Sequence, residues 1–149
     1  NFSASFVHHI VLLIFGAFFL SKAIETNNLH KRIALGTIRL IGISRRQIIL
    51  SFMIASAFLS MWTTNNSTTL MMLPIGLAIF QRETLSKNDA FGSALVLSIA
   101  YAASIGGTGT LIGTPPNLLF VSTMNGIFPD SPDLVFTDWL KIGLPFSEI

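Results

Sequence analysis

Seven consecutive polar residues, Thr63–Thr69, interrupt apolar sequence that is otherwise typical of membrane helices. Where one helix ends and another begins at such a place, the carbonyl groups of the first and the N–H groups of the second lack intrahelical partners. Their partial charges suit a cation beside an anion. Oxygen atoms are the ligands that hard cations such as sodium prefer, and nearby side chains supply them: Ser60, Thr63, Thr64, Asn65, Asn66 and Ser67.

A second interruption, Gly106–Asn117, also lies within apolar sequence. Its four glycines permit unwound backbone and the close approach of a neighbouring segment. Thr114 is predicted to be an N-cap and Pro115 the first helical residue, where a missing N–H costs nothing. Carbonyl groups near Gly113 can then face a cation, while the new helix N-terminus faces an anion.

Both interruptions also have purely structural explanations. The first half-helix is predicted to end near Trp62 and the second to begin near Ser67 or Thr68, so Asn66 or Ser67 could simply cap a tight turn. The glycines could simply bend a packed helix. Seven polar residues exceed what a cap needs, and paired prolines favour a full break. Two such interruptions indicate the binding site of a secondary transporter, and we predict that this chain carries about half of that site.

The glycine spacing argues against a nucleotide-binding enzyme. Gly107, Gly109 and Gly113 miss the G-x-G-x-x-G pattern by one residue, and no Walker lysine follows them. The flanking segments are apolar helices rather than a strand followed by a helix. We therefore expect no enzyme.

The composition places the chain among membrane proteins. It has 51% hydrophobic and 11% charged residues, whereas soluble domains have about 25% charged residues. The absence of cysteine excludes disulfides and thiolate metal sites. The positive residues are not interleaved with exposed aromatics, so we expect no nucleic-acid partner. Because the chain begins at Asn1 and ends within an apolar run, we expect it to be a piece of a longer protein.

Helices must place the two interruptions at membrane depth. Phe6–Ile24 has about 19 residues, enough to span a bilayer core of about 30 Å. Ile48–Trp62 and Leu70–Phe80, with about 15 and about 11 residues at 1.5 Å per residue, are too short to cross it. We therefore predict a helical hairpin that enters the membrane and returns. Phe91–Val121 is predicted to cross the membrane as a broken helix, and Trp139–Ile149 to start a further helix.

Charge predicts the topology. Lys22–Gln47 is basic, and its apolar spacing suits a helix lying along the membrane surface, with a solvated loop containing a short helix as the alternative. Eight of the nine Lys and Arg residues flank the hairpin, although the flank Gln81–Ala90 holds equal numbers of positive and negative residues. The positive-inside rule places both flanks in the cytoplasm and the acidic segment Asn125–Asp138 outside.

Two long motifs resemble those of the divalent anion/sodium symporter family. Met61–Pro74 resembles the first Ser-Asn-Thr signature of that family, and Tyr101–Asn117 resembles its glycine-proline stretch. Leu29–Leu35 is similar to its basic segment before the hairpin. The resemblance covers most of Phe6–Ile149. It implies an all-α integral membrane protein with a re-entrant helical hairpin and a broken helix, the first half of an inverted-repeat transporter.

The resemblance also implies a function and an assembly. The family includes sodium/dicarboxylate, sodium/citrate and sodium/sulfate symporters, so the protein would be a secondary active transporter of a small divalent anion, such as succinate. It would be a multi-pass homodimer in the inner (plasma) membrane that works by an elevator motion. Residues 1–46 would form a scaffold transmembrane helix and a basic surface helix. Residues 47–128 would form the transport-domain hairpin and broken helix, and 129–149 an outer loop and the start of the next transmembrane helix.

Two adjoining sites are implied, one for the coupling ion and one for the substrate. Sodium would be held through hydroxyl, amide and backbone oxygens by four residues: Ser60, Thr64, Asn65 and Gly113. The anion would lie beside it, against two signature residues and two residues at the N-terminus of the second half-helix: Asn65, Asn66, Thr114 and Pro115.

The tip of the hairpin departs from the family pattern. The chain has Thr64-Asn65-Asn66 where the family has Ser-Asn-Thr. Thr64 in place of serine keeps a hydroxyl. Asn66 in place of threonine replaces a hydroxyl with an amide that can donate two hydrogen bonds. Two alternatives therefore stay open, a sodium-independent anion exchanger and a truncated membrane fragment without transport of its own.

Overall fold

The computed structural model describes residues 9–83, 90–128 and 136–147, and within these ranges it contains α-helices and no strands. The predicted all-α class is therefore confirmed for the described residues. The helices in chain order are α1 (His9–Thr26), α2 (Leu29–Ile41), α3 (Arg45–Ser60), α4 (Asn65–Glu83), α5 (Ala90–Thr108), α6 (Pro115–Ile127) and α7 (Phe136–Ser147).

α1 and α2 meet at a tight corner. Asn28 precedes α2 in the left-handed conformation, with φ 51° and ψ 31°, which asparagine adopts more readily than most residues. α2 has 13 residues, and His30 and Ala34 on its inner face are buried. Ser51 of α3 donates a hydrogen bond to the Thr37 carbonyl of α2 at 3.4 Å. A regular helix therefore forms within the basic segment, and it packs against α3.

α4 begins earlier than the sequence predicts. Its first residue is Asn65, whereas a start near Ser67 or Thr68 was expected. The Thr64 hydroxyl oxygen accepts a hydrogen bond from the Ser67 N–H at 3.3 Å, and the Thr64 carbonyl accepts one from the Thr68 N–H at 2.9 Å. Thr64 thus occupies the N-cap position, and the prediction of Asn66 or Ser67 as the cap is wrong.

The two helices that flank the tip also differ from prediction in their ends and length. α3 ends at Ser60 rather than near Trp62. α4 has 19 residues, which makes it about 28 Å long at 1.5 Å per residue. The predicted length of about 11 residues is therefore wrong for the second arm, but a helix of about 28 Å does not contradict the prediction that this arm fails to cross a core of about 30 Å. Its polar first turn belongs to the helix, and apolarity alone could not reveal that.

The centre of the fold is the packing of α3 against α5. Phe52 of α3 and Leu95 and Ile99 of α5 are fully buried. The two backbones approach closely near the end of α5, where a Cβ built on Gly106 would collide with the carbonyl oxygen of Ala57. Glycine is needed there because it has no Cβ.

The break after α5 is shorter than predicted. α5 is long and apolar enough to cross a membrane, and among the described residues it is the one helix that is. It continues to Thr108, and α6 starts at Pro115, so residues 109–114 are unwound. Thr114 is extended, with φ −137° and ψ 142°, and its side chain makes no capping hydrogen bond. Thr114 as the N-cap residue and Pro115 as the first helical residue are confirmed.

Two segments from which the topology is predicted lie partly outside the described residues. Residues 84–89 of the second charged flank and residues 129–135 of the acidic outer segment are not described.

Candidate functional site

The tip turn, between α3 and α4, meets the broken helix, α5 and α6, at the Asn65 side chain. The amide orientation that satisfies its neighbours places Nδ2 at 2.6 Å from Ser60 Oγ, 3.1 Å from the Ala103 carbonyl oxygen and 3.3 Å from the Gly113 carbonyl oxygen. Ser60 is completely buried and donates a hydrogen bond to the Ala103 carbonyl at 2.6 Å. One hydroxyl and two carbonyl oxygens therefore converge on the same point.

This point is complementary to a positive group. Carbonyl oxygens cannot donate, and the Ser60 proton is directed to Ala103, so all three oxygens face Asn65 as acceptors. A buried set of acceptors is costly unless a donor or a cation lies among them. The Asn65 amide nitrogen supplies such a donor. If the amide turns over, its oxygen Oδ1 lies at the same point, 2.6 Å from Ser60 Oγ. The set then consists only of oxygens, the ligands that hard cations prefer, so it fits sodium.

The structure brings together three of the four residues predicted for sodium, namely Ser60, Asn65 and Gly113. The fourth, Thr64, is adjacent to Asn65 in the chain, but its hydroxyl caps α4. The Ala103 carbonyl was not predicted. A backbone oxygen carries no residue-type signal, so only the packing of α3 against α5 reveals it.

Gly107 makes room for the Asn65 side chain. A Cβ built on Gly107 would collide with the Asn65 amide and would lie 2.9 Å from Thr114 Cγ2. Any other residue would therefore push the tip turn away from the end of α5. The close contact between the two interruptions depends on this glycine.

An open cavity of about 440 Å³ adjoins the oxygen cluster. All four residues predicted to contact the anion line this cavity, and its volume lies in the range of small-molecule sites. None of its described lining residues is charged: Thr64, Asn65, Asn66, Ser104, Thr108, Thr114, Pro115, Pro116 and Asn117.

The N-termini of α4 and α6 both border this cavity. The first N–H groups of a helix lack intrahelical partners and carry partial positive charge, so they attract anions. The two ends differ, because Pro115 and Pro116 have no N–H and the Asn117 N–H donates to the Thr114 carbonyl at 3.2 Å. N–H donors for a ligand therefore come from the start of α4.

Side chains hold the unwound residues 109–114 in place. Thr110 Oγ1 donates to the Met61 carbonyl at 2.6 Å and accepts from the Gly113 N–H at 3.1 Å. Asn117 Nδ2 donates to the carbonyls of Thr110 at 2.7 Å and Gly107 at 3.2 Å. Buried backbone outside helices needs such partners. The sequence alone does not single out Thr110 or Asn117, because polar residues within the break look alike until their contacts are known.

The chain is similar in sequence to known transporters. Residues 1–147 match the profile of a family described as citrate transporter. A protein named sodium-dependent dicarboxylate transporter SdcS, from Staphylococcus saprophyticus, is 42% identical over 154 residues. A protein of the same name from Staphylococcus aureus is 40% identical over 151 residues. Each alignment covers 96% of this chain, and the chain spans 29% of the length of each relative.

These matches cover both interruptions and nearly all of the chain. The family and both relatives are named as transporters, not as enzymes. The predicted resemblance to sodium/dicarboxylate and sodium/citrate symporters is thereby confirmed. The chain belongs to the citrate transporter family of membrane proteins.

Proposed function

We propose that the protein containing this chain is a secondary active transporter that couples sodium to the uptake of a small divalent anion, and that this anion is a dicarboxylate. One observation carries the proposal: the acceptor cluster at Asn65 adjoins an uncharged cavity bordered by two helix N-termini. The names of the two relatives, both sodium-dependent dicarboxylate transporters, support it.

Sodium would be held by Ser60, Thr64, Asn65 and Gly113. The converging oxygens of Ser60 and Gly113 fit a hard cation, and the Ala103 carbonyl adds a third oxygen. When bound, the ion would supply positive charge that the adjoining cavity does not have.

The anion would lie against Asn65, Asn66, Thr114 and Pro115. A dianion is costly to remove from water, and no Lys or Arg is among the described residues that line the cavity. Neutral donors and helix ends therefore need a nearby cation to offset that cost. Asn65 borders both sites, so each ligand favours binding of the other, which is the physical basis of coupling.

The proposed architecture is a multi-pass homodimer in the plasma membrane that moves as an elevator. Residues 1–46 would belong to the scaffold, 47–128 to the moving transport domain, and 129–149 would lead into the next transmembrane helix. α3 and α4 would form a re-entrant hairpin. Support comes from the buried hydroxyls of Ser60 and Thr63 at the tip and from the eight Lys and Arg residues that flank the hairpin, not from arm length.

Uptake of radiolabelled succinate by proteoliposomes tests the proposal, with the full-length protein and either sodium or choline outside. We expect uptake that requires sodium and falls sharply for Asn65→Ala. Equal uptake in choline would instead indicate a sodium-independent exchanger. Unchanged uptake by Asn65→Ala would reject the assigned site, and no uptake by the unaltered protein would reject succinate as a substrate.

A further inference from the structure

α2 has an outer face that combines exposed basic and exposed apolar side chains. Its inner face, with His30 and Ala34, is buried. On the outer face Leu40 is 88% exposed, and Ile43, just beyond the helix, is 81% exposed. Lys31, Arg32 and Arg39 are also exposed, as are Leu29 and Leu35.

The spacing on the outer face separates the charges from the most exposed leucine. Arg32 and Arg39 are seven residues apart, so they share one side of the helix with about 10 Å between their turns. Leu29 and Leu40 lie together on the neighbouring side, because eleven residues make close to three full turns. An apolar edge beside a basic edge is typical of a helix that lies in a membrane interface.

Among the described residues, the arginines of this face have no acidic partner. The segment Lys22–Gln47 holds six Lys and Arg residues and one acid, Glu25. Glu25 pairs with Lys22 at 2.9 Å, and that ammonium group lowers the pKa of the Glu25 carboxyl. In the described part of the chain, neither Arg32 nor Arg39 forms an ion pair.

The predicted span Phe6–Ile24, which begins outside the described residues, would place this face at a membrane boundary. α2 begins three residues after α1 ends, across the left-handed turn at Asn28, and most of α1 lies within the predicted span Phe6–Ile24. The positive-inside rule puts this boundary on the cytoplasmic side. The cytoplasmic leaflet is the one that carries anionic lipids and attracts basic segments next to a span.

We propose that the outer face of α2 binds anionic phospholipid headgroups. Arg32 and Arg39 contact the phosphates, and Leu40 and Ile43 lie among the upper acyl chains. A soluble acidic segment would pair with the arginines but would leave both apolar side chains in water, so the lipid surface accounts for more of the face. α2 packs on α3, so bound lipid also holds the first helix of the candidate site at a fixed depth.

Lipid retention by the full-length protein tests this proposal independently of transport. The protein is purified in detergent containing equal amounts of phosphatidylglycerol and phosphatidylcholine, and the bound lipids are quantified by mass spectrometry. We expect phosphatidylglycerol to be preferred, and Arg32→Gln/Arg39→Gln to lower that preference by about fivefold or more. The matched control, Lys22→Gln/Lys141→Gln, removes two exposed lysines that already pair with acids, so it should retain the preference.

A second measurement needs no variant and so does not depend on the folding of one. Raising the salt from about 50 mM to about 500 mM should reduce the phosphatidylglycerol preference of the unaltered protein, because exposed charges are screened. Equal retention of the two lipids by the unaltered protein would overturn the proposal. An equal loss of preference in both double variants would also overturn it, and would point to net charge or an acidic protein partner rather than to this face.

Discussion

The Ser60 hydroxyl and the Asn65 side-chain amide lie 2.6 Å apart across the turn between α3 and α4. Ser60 ends one helix and Asn65 begins the next. This contact therefore fixes the separation of two helix ends that carry opposite partial charges. The same hydroxyl bonds to the Ala103 carbonyl of α5, so three helices are held in register at one buried group.

Removing the Ser60 hydroxyl should lower both the stability of the protein and its apparent affinity for sodium. Ser60→Ala leaves the Ala103 carbonyl without this donor, so we expect the free energy of unfolding to fall by about 1–3 kcal/mol. Half-maximal uptake should also need more sodium. The checks are thermal unfolding and the sodium dependence of succinate uptake, both on the full-length protein.

Ser56 offers a matched control one turn earlier in α3. It is as fully buried as Ser60, but its hydroxyl has no hydrogen-bond partner among the described residues. Ser56→Ala should therefore leave sodium activation unchanged and keep or raise stability. Equal losses in the two variants would show that the Ser60 contacts are not the cause.

Adding one methyl group at Gly107 should disrupt the site by overpacking. Gly107→Ala places a Cβ against the Asn65 amide, which should cost about 1–3 kcal/mol and abolish most uptake. Gly36→Ala is the control, because nothing lies within 4 Å of a Cβ at that position of α2. Alanine there should stabilise the helix by about 0.5–1 kcal/mol. Paired melting curves and uptake rates would contradict this account if both variants behaved alike.

Asn66 should affect the substrate more than the ion. It lines the cavity, and it is not one of the residues whose oxygens form the acceptor cluster. Asn66→Ala removes donors to a charged ligand, so the KM for succinate should rise about tenfold, with the sodium requirement unchanged. Asn66→Thr keeps one donor and should have a smaller effect. Uptake measured over a grid of succinate and sodium concentrations separates the two ligands, and a shift confined to sodium would refute the assignment.

The unwound segment should depend on the Thr110 hydroxyl. Thr110→Val is nearly the same size but removes the hydrogen bonds to Met61 and Gly113. The buried Gly113 N–H and the part-buried Met61 carbonyl would lose this partner, at a cost of about 2–4 kcal/mol. Thr123→Val, at an exposed position of α6, controls for the substitution itself. Chemical or thermal unfolding of both proteins gives the comparison, and similar midpoints would mean that the segment is held in another way.

The sequence predicted those features that depend on local stereochemistry. Thr114 before Pro115 marks the start of α6 whatever surrounds it, since proline cannot lie deeper in a helix without losing a hydrogen bond. The start of α4 was misjudged because several neighbouring residues, Thr64 among them, can all cap a helix. Ala103 could not be found at all, because its contribution is a backbone oxygen brought into place by a helix distant in sequence.

The two prolines that open α6 affect how a ligand would be chosen. Pro115 and Pro116 have no N–H groups, so that helix end would attract an anion only by the electrostatic field of the helix dipole. This attraction depends little on the orientation of the anion. Hydrogen bonds from the N–H groups at the start of α4 are directional, so they require an acceptor at a defined position. The start of α6 would therefore attract anions in general, and the start of α4 would discriminate among them. Substitutions at the start of α6 should weaken all anions alike, and substitutions at the start of α4 should change their order of preference.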